Sequence, residues 1–348
     1  MLLTIVSFIF VFAIVVLAHE LGHFFAASRA GIRVYELAIG FGPRILGIKK
    51  ANTNYSLNLI PIGGYVRLAG IEGKEKEEAA CPEEEKYYNK NPGEKFRSIV
   101  AGPLMNIALA FVLLSLIFLF AGAPVGISNE IESIALGSEA EKVGLRAGDR
   151  IEAIDGVEAK DMVMAIKKIH GSSGKELKLK ISRKGEIFYI KATPRFDPRM
   201  KVGLIGFSPK PLIERVGPLK SLWLGAKQTA GMVALIIYFI GLLSSGKASF
   251  ADLAGPVGIA QFTGQAAQSG FVSLLYFIAF LSVNLGVVNL LPIPALDGGR
   301  ILFVIIEWIR KKPIPIEKEN KFHYAGIFLL IALVIALTIN DVVRILRR

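Results

Sequence analysis

The chain of 348 residues holds one cysteine, Cys81, and four histidines. A single thiol excludes an internal disulfide and cannot build a metal site by itself, so any metal centre has to come from histidines and carboxylates. Nothing basic precedes the first apolar run, residues 1–17, and no small-residue cleavage site follows it, so the first segment is expected to stay attached. Acidic residues are the minority, 29 against 41 Lys and Arg, for a net charge of +12. The basic residues are scattered between apolar blocks with no contiguous stripe, which speaks against nucleic acid and for anionic lipid headgroups and membrane orientation. Cys81 falls in a charge-dense stretch, residues 74–86, expected to be solvated and mobile.

What abounds is apolar surface. Hydrophobic residues make up 53% of the chain and the mean hydropathy is +0.51, above the composition of soluble domains. They come in blocks, which implies membrane spans joined by soluble segments. Residues 2–28 are apolar apart from a few hydroxyls such as Ser7 and the cluster His19, Glu20 and His23. About 20 helical residues cross the hydrocarbon layer, so residues 1–28 are the first span. Arg29, Arg33 and Arg44 follow it, which sets the N-terminus outside and the next loop in the cytoplasm. Residues 29–97 are that cytoplasmic segment. Its part from 32 to 68 alternates as short strands with tight turns and is expected to rest on or dip into the membrane beside the cluster. Residues 98–122 are the second span and 124–200 a charged domain outside the membrane, read as strand, helix, strand, strand, helix and strands. Residues 201–270 are a linker. Within it Lys227 and Gln228 interrupt 222–243 and leave about 15 continuous apolar residues, short of a span, so this piece is read as an interfacial helix. Residues 271–298 form the third span, 299–321 a basic cytoplasmic loop or helix, and 322–343 the fourth span. Arg344, Arg347 and Arg348 then lie outside, against the charge rule. The expected fold class is a polytopic α-helical membrane protein of about four spans, with a membrane-associated β segment and an inserted extracytoplasmic α+β domain.

His19-Glu20-Leu21-Gly22-His23 has the H-E-x-x-H pattern. On a helix the two histidines project from one face and share one Zn²⁺, with the glutamate beside them as general base. Two imidazoles and a carboxyl inside an apolar span are costly unless they do chemistry. A zinc hydrolase needs three protein ligands and one open position. The outstanding third candidate is Asp297, in Asn289-Leu-Leu-Pro-Ile-Pro-Ala-Leu-Asp297-Gly-Gly-Arg. Residues 271–309 as one helix would reach about 60 Å, twice the hydrocarbon thickness, so the chain has to break near Pro292 and Pro294. That break puts Asp297 near the histidines. The competing role for Asp297 is an N-cap for residues 298–309, and one residue can serve both. His170 and His323 read as ordinary surface or interface histidines, and Asp252 as a turn residue.

Several motifs occur together: H-E-x-x-H, Gly-Phe-Gly-Pro at 40–43, Asn58-Leu-Ile-Pro-Ile-Gly-Gly-Tyr, Ala101-Gly-Pro-Leu-Met-Asn106, Gly255-Pro-Val-Gly-Ile and Asn289-x-x-Pro-x-Pro-x-Leu-Asp-Gly. In this order they resemble the site-2 protease family, in particular its regulator of sigma-E protease branch, over nearly the whole chain. The resemblance implies a zinc metalloendopeptidase with four spans. It also implies a PDZ-like identity for 124–200, one such domain where some relatives carry two. It assigns zinc to His19, His23 and Asp297, the general base to Glu20, and substrate contacts to Asn289, Pro292 and Pro294. Partners implied are single-pass transmembrane substrates, such as clipped anti-sigma factors or remnant signal peptides, and a peptide or C-terminus on the PDZ-like domain. The location implied is the inner membrane. The alternative is a non-catalytic PDZ scaffold with a vestigial metal site, for which the intact Glu20 has no use. A metal transporter would need ionisable residues in several spans, and only two clusters exist.

Overall fold

The computed structural model describes residues 1–71, 75–159, 162–198, 200–249 and 253–346, which leaves Asp252, Arg347 and Arg348 outside the described residues. The chain forms two compact units, Met1–Ala121 with Gly217–Arg348, and Gly122–Val216.

Among the described residues of the first unit, five helices are long and apolar enough to cross a membrane: α1 (Leu2–Arg29), α3 (Pro92–Phe120), α6 (Pro218–Ser244), α8 (Phe271–Asn289) and α10 (Ile316–Leu346). The short α2 (Glu75–Ala79) precedes α3, while α7 (Pro256–Gln268) and α9 (Asp297–Arg310) flank α8. Helix α3 starts six residues before its apolar run because Asn91 and Glu94 close a capping box there, with Pro92 at the first helical position. Helix α6 continues through Lys227 and Gln228, and the Lys227 ammonium lies over the Trp223 ring. The whole helix has 27 residues, so its length reaches across a bilayer where its longest uninterrupted apolar run does not. Helix α7 is anchored at its N-terminus by the fully buried Asp341 of α10, which accepts from Gly258 N at 2.7 Å and from Arg344 at 2.8 Å. Arg344, one of the charges that run against the orientation rule, is therefore paired.

The crossing of α1 and α3 is set by glycine. A Cβ on Gly22 would fall inside contact distance of the Ala101 carbonyl, and one on Gly102 would enter the His23 ring. Helix α8 packs on the same stretch of α3, where Gly286 faces the Pro103 carbonyl and Ser282 Oγ donates to Asn106 O at 2.8 Å.

After α1 the chain runs into β1 (Val34–Lys50) and β2 (Thr53–Leu68). Residues 36–39 pair with 64–67 in opposing register and with 54–57 in rising register, while 44–50 pair back onto 53–58. The two long strands thus make four ladder segments in the order 64–68, 34–39, 53–58, 44–50, with 64–68 on one edge. Glu36, buried at the centre, accepts from Arg44, Ser56 and Arg67 and ties its own segment to the other three. The charge-dense stretch expected to be solvated is instead docked. Arg67 pairs with Glu77, Arg33 with Glu85, Gly70 N donates to Glu78, and Cys81 and Tyr87 are buried. Glu77 and Glu85 have basic partners in and beside the sheet, and composition does not show that pairing.

The second unit begins with β3 (Ala123–Ile134), α4 (Glu139–Lys142), β4 (Arg150–Ile154), β5 (Val157–Glu158) and α5 (Met162–His170). It ends with β6 (Leu177–Arg183), β7 (Glu186–Ala192), β8 (Arg195–Asp197), β9 (Val202–Leu204) and β10 (Phe207–Glu214). This is the expected element order, but the domain closes at residue 216 and not at 200. Strand β10, which falls in the stretch read as linker, pairs with β3 and forms the sheet edge in the order β10-β3-β4-β6-β7. Ile131, Ile151, Ile154, Leu179, Ile181 and Ile205 fill the core. Asp149, 1% exposed, accepts two bonds from Arg183 at 2.6 and 2.7 Å and one from Arg146 N at 2.8 Å. Burial pushes its carboxyl up, but these donors outweigh burial and hold it below the usual carboxylate range.

Because the folded carboxyl titrates lower than the unfolded one, the bridge contributes fully above the ordinary carboxylate value and is lost as pH falls below it. Asp149→Ala in the excised unit is expected to cost about 3 kcal/mol in urea unfolding at neutral pH, with the gap to wild type closing in acid.

Candidate metal centre

Helix α1 carries His19 and His23 one turn apart, and α3 presents Ser98, Gly102 and Asn106 at the same four-residue spacing. The two stripes face each other. His23 Nδ1 donates to Ser98 O at 2.8 Å, its ring lies on Gly102, and the Asn106 amide sits 3.3 Å from His19 Nδ1. Both imidazoles are held through Nδ1, which leaves both Nε2 atoms for a metal. Asn106 is fully buried and its Oδ1 has no partner among the described residues. With its oxygen turned to His19 Nδ1–H, the amide satisfies both groups.

The third donor arrives through the break after α8. Helix α8 ends at Asn289, and the chain turns through residues 290–296 with Ala295 at φ 71°. Gly298 and Gly299 lie so close to the carbonyls of Leu290, Leu291 and Ile293 that no Cβ fits at either position, and α9 starts hard against this turn. Asp297 is the first residue of α9 and Leu296 occupies the capping position. The Asp297 carboxylate points to the histidines, so the N-cap alternative is not realised.

Asp297 Oδ2 lies 3.1 Å from His19 Nε2 and 3.4 Å from His23 Nε2, and the two Nε2 atoms are 3.2 Å apart. Zinc with tetrahedral bonds of about 2.1 Å separates its donors by about 3.4 Å, so the three atoms are spaced as three corners of that polyhedron. Asp297 Oδ2 is buried and, despite the short distances, aligned for no hydrogen bond. Three donor atoms converging on one point suit a shared cation, and two imidazoles with one carboxylate are zinc-type donors.

A cavity of about 280 Å³ opens beside this cluster. Glu20, Asn289, Tyr65 and Val66 line it together with the three donors. The Asn289 amide lies 3.3 Å from His19 Nε2. The edge segment 64–68 forms one wall, and Gly64 permits it to pack against Val16 and Glu20 of α1. Of the residues expected at the site, His19, Glu20, His23, Asn289 and Asp297 are brought together. Pro292 and Pro294 are not among the described residues lining the cavity, and Pro294 packs under Gly326 of α10. Asn106, Ser98 and Gly102 were missed as site residues. The signal was a four-residue repeat of small and polar side chains inside an apolar helix, legible only once α3 is known to face α1.

A model of peptidase family M50 matches residues 7–333. The chain is 34% identical to the zinc metalloprotease RasP of Bacillus licheniformis, over 98% of this chain and 99% of that one. It is 33% identical to the regulator of sigma-W protease RasP of Bacillus subtilis, over 98% of each. A Clostridium acetobutylicum protein named as a candidate zinc metalloprotease is 37% identical over 97% of each chain. The alignment with the B. subtilis protein runs to 422 positions against a chain of 348, so that relative carries residues this chain lacks. Among solved structures, the PDZ domain of the SdrC-like protein of Listeria monocytogenes is 26% identical over 24% of this chain and 86% of that one, with a TM-score of 0.22.

Asp297→Ala is expected to remove stoichiometric zinc from the purified protein, measured by elemental analysis. Gly102→Ala, which drives a methyl into the His23 ring, is expected to lower zinc affinity by about 10- to 100-fold while the helix content by circular dichroism holds.

Proposed function

The chain belongs to peptidase family M50, the site-2 proteases, and is a multi-pass membrane zinc metalloendopeptidase; on that premise we propose that His19, His23 and Asp297 hold the zinc, Glu20 is the general base and Asn289 contacts the substrate. The observation that carries this reading is the triangle of three donor atoms 3.1 to 3.4 Å apart, with an unsatisfied carboxylate oxygen at one corner.

Bound zinc supplies Lewis-acid polarisation of the scissile carbonyl and lowers the pKa of water towards about 7. Glu20, one residue from His19 on the cavity wall, takes the proton of the attacking water on its carboxylate and passes it to the leaving amide nitrogen. Ser98 O and the Asn106 amide keep the imidazoles from rotating away. Asn289, on the cavity wall beside His19, orients the substrate carbonyl. Pro292 and Pro294 act on the substrate through the turn they impose and not by lining the cavity.

The substrates are single-pass transmembrane proteins, with clipped anti-sigma factors and remnant signal peptides as the classes the relatives suggest. A helical peptide bond is shielded by its own hydrogen bonds, so the substrate has to unwind. The free edge of segment 64–68, on the cavity wall, offers backbone donors and acceptors to the unwound strand. The charge pattern puts the N-terminus and the inserted PDZ-like domain outside and the sheet on the cytoplasmic side of the inner membrane. Helix α6 packs along α3 and α8, with Gly225 against Ser115 and residues 235–243 beside Phe280 and Leu291, which favours a place within the helix bundle over the interfacial reading drawn from Lys227 and Gln228. In the PDZ-like domain a groove of about 320 Å³ between α5 and β10 is lined by Ile166, His170, Gly206 and Phe207. Pro209 and Pro211 take backbone donors from the edge strand β10, so the groove suits a chain terminus better than a long added strand. The scaffold alternative has no support: all three donors and Glu20 border one cavity.

Glu20→Gln is expected to keep zinc and lose about 10²- to 10⁴-fold in cleavage of a model transmembrane substrate by reconstituted protein. Zinc retained with cleavage undiminished would remove Glu20 from the chemistry.

A further inference from the structure

Residues 290–296 have to present Asp297, yet Pro292 and Pro294 deprive them of two backbone donors. The remaining donors can be followed one by one. Leu290 and Leu291 donate back into the end of α8, Ile293 N to Leu291 O, and Leu296 N to Ile293 O. Ala295 N does otherwise: it donates to the imidazole Nδ1 of His323, on α10, at 3.0 Å. Ala295 is also the residue of this turn held at φ 71°, a backbone region that an L side chain enters at a steric cost. His323 is 7% exposed, its ring lies 3.4 Å from where a Cβ on Gly299 would be, and one turn on, Gly326 receives Pro294 where no side chain fits. One face of α10 therefore grips the turn at Pro294, Ala295 and Gly299.

We propose that His323 is a positioning residue of the metal site: by accepting the Ala295 N–H it locks the turn that aims the Asp297 carboxylate at His19 and His23. Sequence reading sets His323 aside as an ordinary surface or interface histidine. Its Nδ1 can accept only in the neutral form that carries the proton on Nε2. The Nε2 atom has no hydrogen-bond partner among the described residues, and Glu319 Oε1 stands off at 3.9 Å, so the ring's one close polar contact is the turn. Two residues on, that turn delivers the Asp297 carboxylate, which has to arrive within a few tenths of an ångström of its place for the site to close on a metal.

The proposal rests on Asp297 being a zinc ligand, and the test separates the two. Full-length protein in detergent is stripped of metal, and zinc affinity is read by competition with a chromophoric chelator, alongside the thermal midpoint of the metal-free form. His323→Leu keeps bulk without an acceptor and is expected to weaken zinc about 10- to 100-fold. His323→Asn, whose Oδ1 takes the place of Nδ1, is expected to stay near wild type. Ala295→Gly, which removes the steric cost at positive φ, is expected to restore most of the affinity lost in His323→Leu. If the leucine variant does not fold, His323→Gln, whose carbonyl reaches the Nε2 position, replaces it with the same expected loss. Zinc affinity unchanged in the variant without the acceptor, or an equal loss with Asn, overturns the positioning role while leaving Asp297 a ligand. Zinc bound as tightly by Asp297→Ala as by wild type overturns the ligand reading instead.

Discussion

Everything in the membrane unit answers to one demand: two imidazole nitrogens and a carboxylate oxygen, 278 residues apart at their extremes (Asp297 against His19), must meet with their lone pairs converging. In lipid such a convergence is costly unless a cation is shared, so the surrounding structure has to impose it. Helix α1 fixes the two histidines relative to each other by its own pitch. Helix α3 fixes their rotation, through Ser98 O and Asn106, and brings them close by presenting Gly102 where any side chain would intrude. The carboxylate is harder to place because it comes from a broken helix, and the break is bounded on one side by prolines and on the other by Gly298 and Gly299.

How far the site was legible in the sequence follows from which spacings are local. His19, Glu20 and His23 are set by helical pitch, and Asp297 stands out because ionisable residues at membrane depth are few. The contacts of Asn106 and His323 were not legible. One contacts a histidine 87 positions away and the other an alanine 28 positions away, and neither spacing has a periodic signature. The same limit explains two misread regions. Residues 75–86 look like a solvated acidic loop until Arg33 and Arg67 supply partners, and β10 looks like linker until β3 claims it as an edge.

The four-segment sheet shows the converse case, where local pattern was right and topology was not available. Alternating residues correctly announce strands, but the sequence does not reveal that residues 36–39 are paired on both sides. That double pairing is what pushes 64–68 to the outside of the sheet, and Gly64 then lets this outer segment lie against Glu20. Edge position and nearness to Glu20 are thus one fact of topology.

The glycine contacts between α1 and α3 also bear on motion. Where Gly22 meets the Ala101 carbonyl and Gly102 meets the His23 ring, the two helices have no slack: sliding them apart disturbs the His23 imidazole, and pressing them together meets backbone. A protein built this way has a stator. Whatever parts to admit a substrate helix has to be hung on the other walls, so the catalytic metal can stay in register while its enclosure opens.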